Sequence, residues 1–220
     1  MTPSVIDLYH GDTVTSFRLA TGLLGIIHKA SQGIGVIDPA YAQRRQLARD
    51  AGLLWGAYHF GTNDDAASQA AHFLDCAKPD QNTLVALDYE PNGSATMTLP
   101  QAREFLACIE KALGRKAVLY SGSLIKETLP GPDAFFGAHR LWLAEYGPVA
   151  RLPAAWSKYW LWQYSDAGHV PGVSGNVDCN TYDGAASQLA LEWAGNPAPQ
   201  IASGAARESW WSRFFKAFRS

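Results

Sequence analysis

The sequence has few cysteines and no long apolar run, and both features narrow the class of protein. Its three cysteines, Cys76, Cys108 and Cys179, are an odd number without close spacing. That pattern fits neither a disulfide framework nor a zinc site, so we expect three buried free thiols. Nowhere do about eighteen apolar residues follow one another, which is the minimum for a membrane-spanning helix. The sequence therefore predicts a soluble protein.

The sequence also lacks an excess of charge of one sign and a leader segment. Its formal net charge is −2, which argues against the broad basic surface of a nucleic-acid-binding protein, so nucleic acid is not an expected partner. Residues 1–4 lead straight into an apolar run, with no charged leader followed by an apolar segment. We therefore expect synthesis in the cytoplasm without a signal peptide.

Length and composition predict one folded domain. The 220 residues are 47% hydrophobic, which is enough for a full core. We assign the domain to residues 1–194, a linker to residues 195–204 and a C-terminal helix to residues 205–220. The linker prediction rests on the run Gly195-Asn-Pro-Ala-Pro-Gln. We expect the protein to be a monomer.

Short apolar runs alternate with longer helical patterns, which is typical of β-α units around a mostly parallel sheet. The predicted strands are Val5–Tyr9, Leu24–Lys29, Leu54–His59, Thr83–Glu90, Ala117–Ser121, Arg140–Glu145, Tyr159–Tyr164 and Val177–Asn180. The predicted helices are Ala40–Ala51, Ala66–Ala77, Pro100–Leu113 and Ser123–Thr128. Helical patterns follow the second to the fifth strand, and the later connections are predicted to be loops. We therefore predict an α/β fold, an irregular TIM-like barrel of five β-α units followed by three strands with few helices.

One predicted strand ends in two carboxyl groups. The run Leu84-Val-Ala-Leu-Asp-Tyr-Glu-Pro91 places Asp88 and Glu90 two residues apart. Alternate side chains of a strand share a face, so these two should project together with Cβ atoms about 6.5–7 Å apart. Pro91 disfavours a helical conformation for Glu90 and should hold it extended. Paired carboxyl groups at the end of a buried strand indicate acid-assisted chemistry.

Other polar side chains fall near the ends of predicted strands. They are Asp7, Lys29, His59, Tyr120, Glu145, Gln163 and Asp178. In such a barrel the carboxyl ends of the strands form the active-site face. Several acids at one face repel one another, so at least one should have a raised pKa and be able to donate a proton. Glycoside hydrolysis uses such an arrangement.

Seven motifs occur in order between about residue 4 and residue 194. They are Val5-Ile-Asp7, Ile26 to Gly33, Gly56 to Phe60, Leu87 to Glu90, Leu141 to Tyr146, Leu161 to Tyr164 and Gly172 to Asn180. Together they resemble the successive motifs of glycoside hydrolase family 25, the Chalaropsis-type lysozymes. The resemblance implies a barrel of five β-α units and three further strands. It also implies an enzyme that cleaves the β-1,4 bond from N-acetylmuramic acid to N-acetylglucosamine in peptidoglycan, with no metal and no organic cofactor.

The resemblance implies roles for individual residues. Glu90 would be the general acid, and Asp88 would stabilise positive charge at the sugar by orienting the substrate's own N-acetyl group. The expected substrate-binding residues are Asp7, Asp178, Tyr58, His59, Tyr120, Tyr146, Trp162 and Gln163. Two alternatives stay open: His59 can instead be a core histidine, and either Trp162 or Gln163 can face the site, since neighbours on a strand point to opposite faces.

Residues 205–220 form a second informative pattern. Placed on a helix, aromatic side chains fall on one arc and basic side chains lie opposite. The aromatic residues are Trp210, Trp211, Phe214, Phe215 and Phe218, and the basic residues are Arg213, Lys216 and Arg219. Such a helix can lie in a membrane interface and bind anionic lipid or lipopolysaccharide. The alternative is a helix docked on the barrel with its aromatic side chains buried.

These features together predict a peptidoglycan hydrolase whose partner is the glycan strand of the bacterial cell wall. Without an export signal, it would reach the wall after holin-type release, as a phage or prophage endolysin. A toxin delivered by a secretion system is the alternative with the same activity. A non-catalytic alternative is a glycan-binding or membrane-disrupting protein that acts through the C-terminal helix.

Overall fold

Strands and helices alternate through residues 4–195, which are the residues that the computed structural model describes. The strands are β1 (Val5–Leu8), β2 (Thr13–Val14), β3 (Gly25–Gln32), β4 (Val36–Ile37), β5 (Leu54–Phe60), β6 (Leu84–Asp88), β7 (Val118–Ser121), β8 (Leu141–Ala144), β9 (Leu161–Gly168), β10 (Val173–Ser174) and β11 (Val177–Thr181). The α-helices are α1 (Tyr41–Asp50), α2 (Ala66–Ala77), α3 (Leu99–Leu113), α4 (Ser123–Thr128), α5 (Ala134–Gly137) and α6 (Ala186–Glu192). Two 3₁₀ turns, Phe17–Leu19 and Gly93–Ala95, lie between them.

Eight of these strands close into a barrel. Their order is β1-β11-β9-β8-β7-β6-β5-β3, and β3 pairs with β1 to complete the circle. All neighbours are parallel except β11, which is antiparallel to both β9 and β1. The carboxyl ends of the parallel strands therefore meet at one end of the barrel, together with the start of β11. Side chains from distant parts of the sequence are brought together there.

Local sequence determines where the crossover helices begin and end. Asp65 caps α2 by accepting a hydrogen bond from the Ser68 backbone N–H at 2.8 Å. α3 begins at a capping box, in which the side chains of Thr98 and Gln101 each bind the other's backbone N–H. It ends at Gly114, whose φ of 67° suits glycine. Because these signals are local, the predicted limits of both helices agree with the structure to within one residue.

Side chains along the barrel strands alternate between two apolar clusters. The inner cluster includes Val5, Ile27, Leu84, Ala86, Val118, Trp142 and Leu161. The outer cluster lies between barrel and helices and includes Ile6, Ile26, Val85, Leu87 and Leu119, with Phe73 of α2 and Phe105 of α3. Successive side chains of a strand point to opposite faces, so the polar residues at the strand ends continue the same alternation. The clusters thus show which polar residues face into the barrel.

Trp193 closes the end of the barrel where the parallel strands begin. It follows α6, is 1% exposed, and packs in the inner cluster 6.0 Å from the ring of Trp160. Its Nε1 donates to the carbonyl oxygen of Trp55 at 2.8 Å. A Cβ added at Gly25, the first residue of β3, would lie 2.8 Å from the indole ring. Glycine at this position therefore allows the close approach of the ring.

We expect Trp193→Ala to destabilise the protein by about 3–5 kcal/mol, because it removes a fully buried indole and leaves a cavity. Urea unfolding followed by circular dichroism would measure the change. Leu191→Ala is the control, since Leu191 is 52% exposed on the neighbouring helix α6. That variant should change the free energy of unfolding by no more than about 0.5 kcal/mol. A similar loss in both variants would show that Trp193 does not close the barrel.

All eight predicted strands are present, and the predicted fold class is confirmed. The sequence pattern does not predict β2, β4, β10, α5 or α6. The first four of these have four residues or fewer, too few for a periodic pattern. All three cysteines are free, but only Cys179 is buried, and Cys76 and Cys108 are half-buried on helices. This corrects the expectation of three buried thiols.

Among residues 4–195, no helix combines the length and the apolar character that a membrane crossing needs. Apart from Gly195, the predicted linker over 195–204 and the predicted amphipathic helix over 205–220 lie outside the described residues. Both remain predictions.

Candidate active site

Four carboxyl groups surround the end of the barrel where the parallel strands finish. Asp7 of β1 lies opposite Asp178 of β11 in the strand register, Asp88 is the last residue of β6, and Glu90 follows it. Burial raises the pKa of each of these groups above its ordinary value. The sequence-predicted acids are therefore brought together in one poorly solvated place.

Asp7 and Asp178 share a hydrogen bond. Asp7 also accepts from Asn180 Nδ2 at 2.7 Å and from Gln163 Nε2 at 3.0 and 3.1 Å. Burial, followed by repulsion from Asp178, raises the pKa of Asp7 well above its usual range in spite of these donors. Burial raises the pKa of Asp178 to about 6, while the hydrogen bond with Asp7 opposes the rise. Asp7 therefore holds the proton of the pair, and Asp178 is negatively charged near neutral pH.

Gln163 links this pair to Tyr120 and Glu90. Its amide nitrogen faces Asp7, so its amide oxygen faces the other way and accepts from the Tyr120 hydroxyl at 2.8 Å. Glu90 also hydrogen bonds to Tyr120. This bond lowers the pKa of Glu90, but burial, followed by the charge of Asp178, raises it and outweighs the bond.

The segment after β6 turns Asp88 and Glu90 to the same side. Tyr89, between them, is fully buried in the outer apolar cluster. Its backbone N–H donates to the Tyr120 carbonyl at 2.9 Å, and its own carbonyl accepts from Ser121 Oγ at 2.6 Å. These bonds extend the alternation of the strand past its last residue, so both carboxyl groups lie on the inner side.

Asp88 carries an oxygen atom that has no partner. The residue is 6% exposed, and its Oδ1 is buried without a hydrogen bond to any described residue. Burial and then the charge of Glu90 raise the pKa of Asp88 well above its usual range, and Lys29 opposes the rise. An unpaired buried acceptor is costly. A ligand that offers an N–H or O–H group at this point would remove that cost.

Glu90 opens onto a cavity of about 590 Å³ beside the ends of β7 and β8. That volume lies within the roughly 300–1,000 Å³ of small-molecule sites. Tyr146 forms part of its wall, is 53% exposed, and offers an apolar ring face to a flat or amphipathic ligand. Within residues 4–195, no three His, Cys, Asp or Glu side chains are placed to hold a metal ion.

The structure places His59 outside this pocket, which corrects the prediction that it binds substrate. Tyr58 faces into the barrel, edge-on to Trp142 at 6.4 Å, so the next residue along β5 faces the helices. There His59 stacks on Phe105 at 5.0 Å, and its Nδ1 lies 2.8 Å from Ser31 Oγ. Burial lowers the pKa of His59 to about 4. It is a neutral core histidine.

Trp162 also faces away from the pocket, which corrects the prediction that it binds substrate. Gln163 occupies the inward position of β9, so alternation turns Trp162 outward. Its Nε1 donates to the backbone carbonyl of Glu145 at 2.6 Å, and its ring lies 5.8 Å from that of Tyr159. Trp162 therefore supports the loop that carries Tyr146.

Three residues that the structure brings to the site have no role predicted from the sequence. Asn180 holds Asp7 in place. It lies two residues after Asp178 on the same strand, and this spacing could have indicated that both side chains face the site. Lys126 and Arg151 line the cavity beside Glu90. They come from a short helix and a loop, where no periodic pattern indicates which way a side chain points.

The strands form a closed barrel, and the acidic pocket lies at the carboxyl ends of the parallel strands. This is the position of the active site in α/β-barrel enzymes, and it places the protein in that structural class. The sequence model of the family described as "Glycosyl hydrolases family 25" matches residues 6–173. The chain belongs to glycosyl hydrolase family 25.

The chain is also similar to individual proteins and solved structures. "Uncharacterized protein YegX" of Escherichia coli K12 is 36% identical over 167 residues, which cover 73% of this chain. The match spans only 60% of the length of YegX. The crystal structure of a bacterial lysozyme from Streptomyces coelicolor is 28% identical with a TM-score of 0.79, over 86% of this chain and 95% of that one. The CTP1L endolysin is 28% identical with a TM-score of 0.70, over 84% and 68% of the two chains.

Proposed function

We propose that this protein hydrolyses the β-1,4 bond between N-acetylmuramic acid and N-acetylglucosamine in peptidoglycan. The observation that carries the proposal is the pair formed by Glu90, a carboxyl group with a raised pKa at an open cavity, and Asp88, which presents an unpaired oxygen beside it. Membership of family 25 and the likeness to the Streptomyces lysozyme support the choice of substrate.

Glu90 is the proposed general acid. It donates its proton to the glycosidic oxygen as the bond to the muramic acid C1 breaks, so the leaving sugar departs as a neutral alcohol. A raised pKa keeps Glu90 protonated to a higher pH than an ordinary glutamate. The resulting carboxylate then takes a proton from the water molecule that attacks in the second step.

Asp88 is the proposed partner of the substrate's N-acetyl group. Its free Oδ1 accepts the acetamido N–H, which turns the acetyl carbonyl oxygen toward C1. That oxygen attacks C1 as the leaving group departs, and water later opens the ring that forms. The carboxylate of Asp88 balances the positive charge of this intermediate. Asp7, Asp178 and Gln163 hold the surrounding groups in place.

We expect Asp178→Asn to move the alkaline limb of the pH–rate profile to lower pH. After burial, the charge of Asp178 is the main cause of the raised pKa of Glu90. Because the pKa of Asp178 is about 6, that charge is present near neutral pH. Without it, Glu90 loses its proton at a lower pH and stops acting as an acid. Measuring kcat/KM from about pH 4 to pH 9 would show the shift.

Asp183→Asn is the matched control for this experiment. Asp183 is an exposed carboxyl group that lines a different cavity from the one beside Glu90. Its substitution should leave the alkaline limb where it is. An alkaline limb that stays in place in Asp178→Asn would contradict the proposed coupling between Asp178 and Glu90.

Product analysis tests the function directly. Purified peptidoglycan is incubated with the protein, the soluble products are reduced with borohydride, and the new ends are identified by mass spectrometry. Reduced N-acetylmuramic acid ends are the expected result. Reduced N-acetylglucosamine ends, or no new ends, would overturn the proposal and would leave glycan binding without turnover as the function to test.

We further propose that the biological role is lysis of the bacterial cell wall by an endolysin. The likeness to the CTP1L endolysin supports this role over that of a toxin delivered by a secretion system. The predicted amphipathic helix over 205–220 would add contact with anionic membrane or lipopolysaccharide.

A further inference from the structure

The cavity beside Glu90 is also lined by two cationic side chains that the proposed hydrolysis does not use. Lys126 of α4 and Arg151, in the loop after β8, both bind the carboxylate of Glu145. Glu145 Oε1 accepts from Arg151 Nε at 2.5 Å, and Oε2 accepts from Lys126 Nζ. Burial alone would raise the pKa of Glu145, but these hydrogen bonds lower it, so the group is ionised. Two cations beside one anion leave one positive charge in excess.

Both cations have hydrogen-bond donors to spare. The Arg151 side chain is 79% exposed, and its Nη1 and Nη2 make no hydrogen bond within the described part of the chain. The bond from Nε to Glu145 orients the guanidinium group, and a guanidinium presents its donors in a fork that matches a carboxylate. Lys126 is 28% exposed and has three N–H protons, of which Glu145 takes one.

The cavity lining carries groups of both signs. Glu90, on which the Asp178 charge acts, lines the cavity together with Lys126 and Arg151. An anionic group is repelled by the acids and attracted to the cations. The cavity is therefore suited to bind a ligand that carries a carboxylate apart from the bond to be broken.

We propose that Arg151 and Lys126 form a subsite for a carboxylate carried by the muramyl substituent of peptidoglycan. This inference rests on the proposed function. Each muramic acid bears a lactyl ether, whose carboxylate is free where no peptide is attached. Where a peptide is attached, that carboxyl group forms an amide, and the peptide carries carboxylates of its own. Arg151 binds such a carboxylate through Nη1 and Nη2, and Lys126 adds a second charge-assisted hydrogen bond. Leu152 provides an adjoining apolar wall.

The test compares three substrates made from one peptidoglycan preparation. The first is untreated and carries peptides with free carboxylates. In the second the carboxylates are converted to amides with carbodiimide and ammonia, so the peptides stay but their charge is lost. In the third an amidase removes the peptides and leaves the lactyl carboxylates. We expect the wild type to have about tenfold higher kcat/KM on a substrate that presents the bound carboxylate, either untreated or amidase-treated, than on the amidated substrate, as one charge-assisted hydrogen bond gives.

Arg151→Glu reverses the charge at the subsite and should abolish this tenfold preference, mainly through KM. Arg151→Lys keeps the charge but loses the fork, and should retain part of the preference. The control is Lys158→Glu, because Lys158 is an exposed lysine on a different cavity. It should keep both the activity and the preference of the wild type.

The possible outcomes distinguish a lactyl carboxylate from a peptide carboxylate. They also distinguish failure of the subsite from failure of the proposed function. A preference that appears only with the amidase-treated substrate assigns the subsite to the lactyl group, and a preference for the untreated over the amidated substrate assigns it to the peptide. Equal kcat/KM on all three substrates, or a preference that survives Arg151→Glu, would overturn the subsite. If no protein shows turnover, the proposed function fails, and the Kd of a soluble muropeptide decides about the subsite. A tenfold weaker Kd in Arg151→Glu would support it, and an unchanged Kd would refute it.

Discussion

Glu90→Gln is expected to lower kcat on peptidoglycan by about 10²–10⁴-fold, because an amide cannot donate the proton that the leaving oxygen needs. Glutamine has nearly the same shape as glutamate, so substrate binding and KM should change little. The assay is the release of borohydride-reduced N-acetylmuramic acid ends, counted by mass spectrometry. The residual rate should also lose its alkaline limb, since that limb reports the deprotonation of Glu90.

Glu127→Gln is the matched control for this variant. Glu127 is an exposed residue of α4 and lies outside the acidic pocket. It should retain the wild-type rate. Thermal unfolding of both variants would show that each is folded. A folded Glu90→Gln protein that releases muramic acid ends at the wild-type rate would rule out Glu90 as the acid.

Asp88→Asn is expected to lower kcat by about 10²–10³-fold, in the range of a lost electrostatic stabiliser of the transition state. The variant keeps a side-chain oxygen that can accept the substrate N–H, but it removes the charge that balances the positive intermediate. The loss should therefore lie in kcat more than in KM. Steady-state kinetics on a soluble glycan fragment would separate the two.

The same substitution should stabilise the protein near neutral pH. The pKa of Asp88 is raised well above its usual range by burial and by Glu90, so its ionisation disfavours the folded state. A raised pKa contributes stability that is present at low pH and is lost as the pH rises through the folded-state pKa. Asp88→Asn removes this loss. Its melting temperature should exceed that of the wild type at pH 7, and the difference should shrink at acidic pH.

Asp75→Asn provides the control for both measurements, because Asp75 is exposed on α2. It should leave kcat and the melting temperature nearly unchanged. An Asp88→Asn protein that is less stable than the wild type at pH 7 would mean that the carboxylate of Asp88 is well compensated in the fold. Wild-type kcat in that variant would remove Asp88 from the proposed mechanism.

Opposite effects of one substitution on stability and on rate would have a simple physical origin. Four carboxyl groups at one end of the barrel repel one another and are poorly solvated, which costs folding free energy. The same repulsion raises the pKa of Glu90. In this proposal, the apolar packing around Trp193 at the other end of the barrel offsets the folding free energy that the acidic pocket costs.

Several features were determined by the sequence alone. The eight barrel strands, the four helices that separate the earlier ones and the position of Asp88 and Glu90 at one strand end follow from apolar runs, capping residues and the two-residue period of a strand. These signals act over a few neighbouring residues. A single sequence therefore contains them in full.

Other features were decided only by the tertiary structure. Alternation shows that Tyr58 and His59 face opposite ways, as do Trp162 and Gln163. Which residue of each pair points into the barrel depends on which face of the strand lies inside after the barrel closes. The link from Asp7 through Gln163 to Tyr120 joins three distant strands. The meeting of Lys126 and Arg151 at the cavity likewise depends on a helix and a loop that come together only after the barrel has closed. Local sequence signals cannot determine contacts between such distant segments, because those contacts form through chain closure and packing.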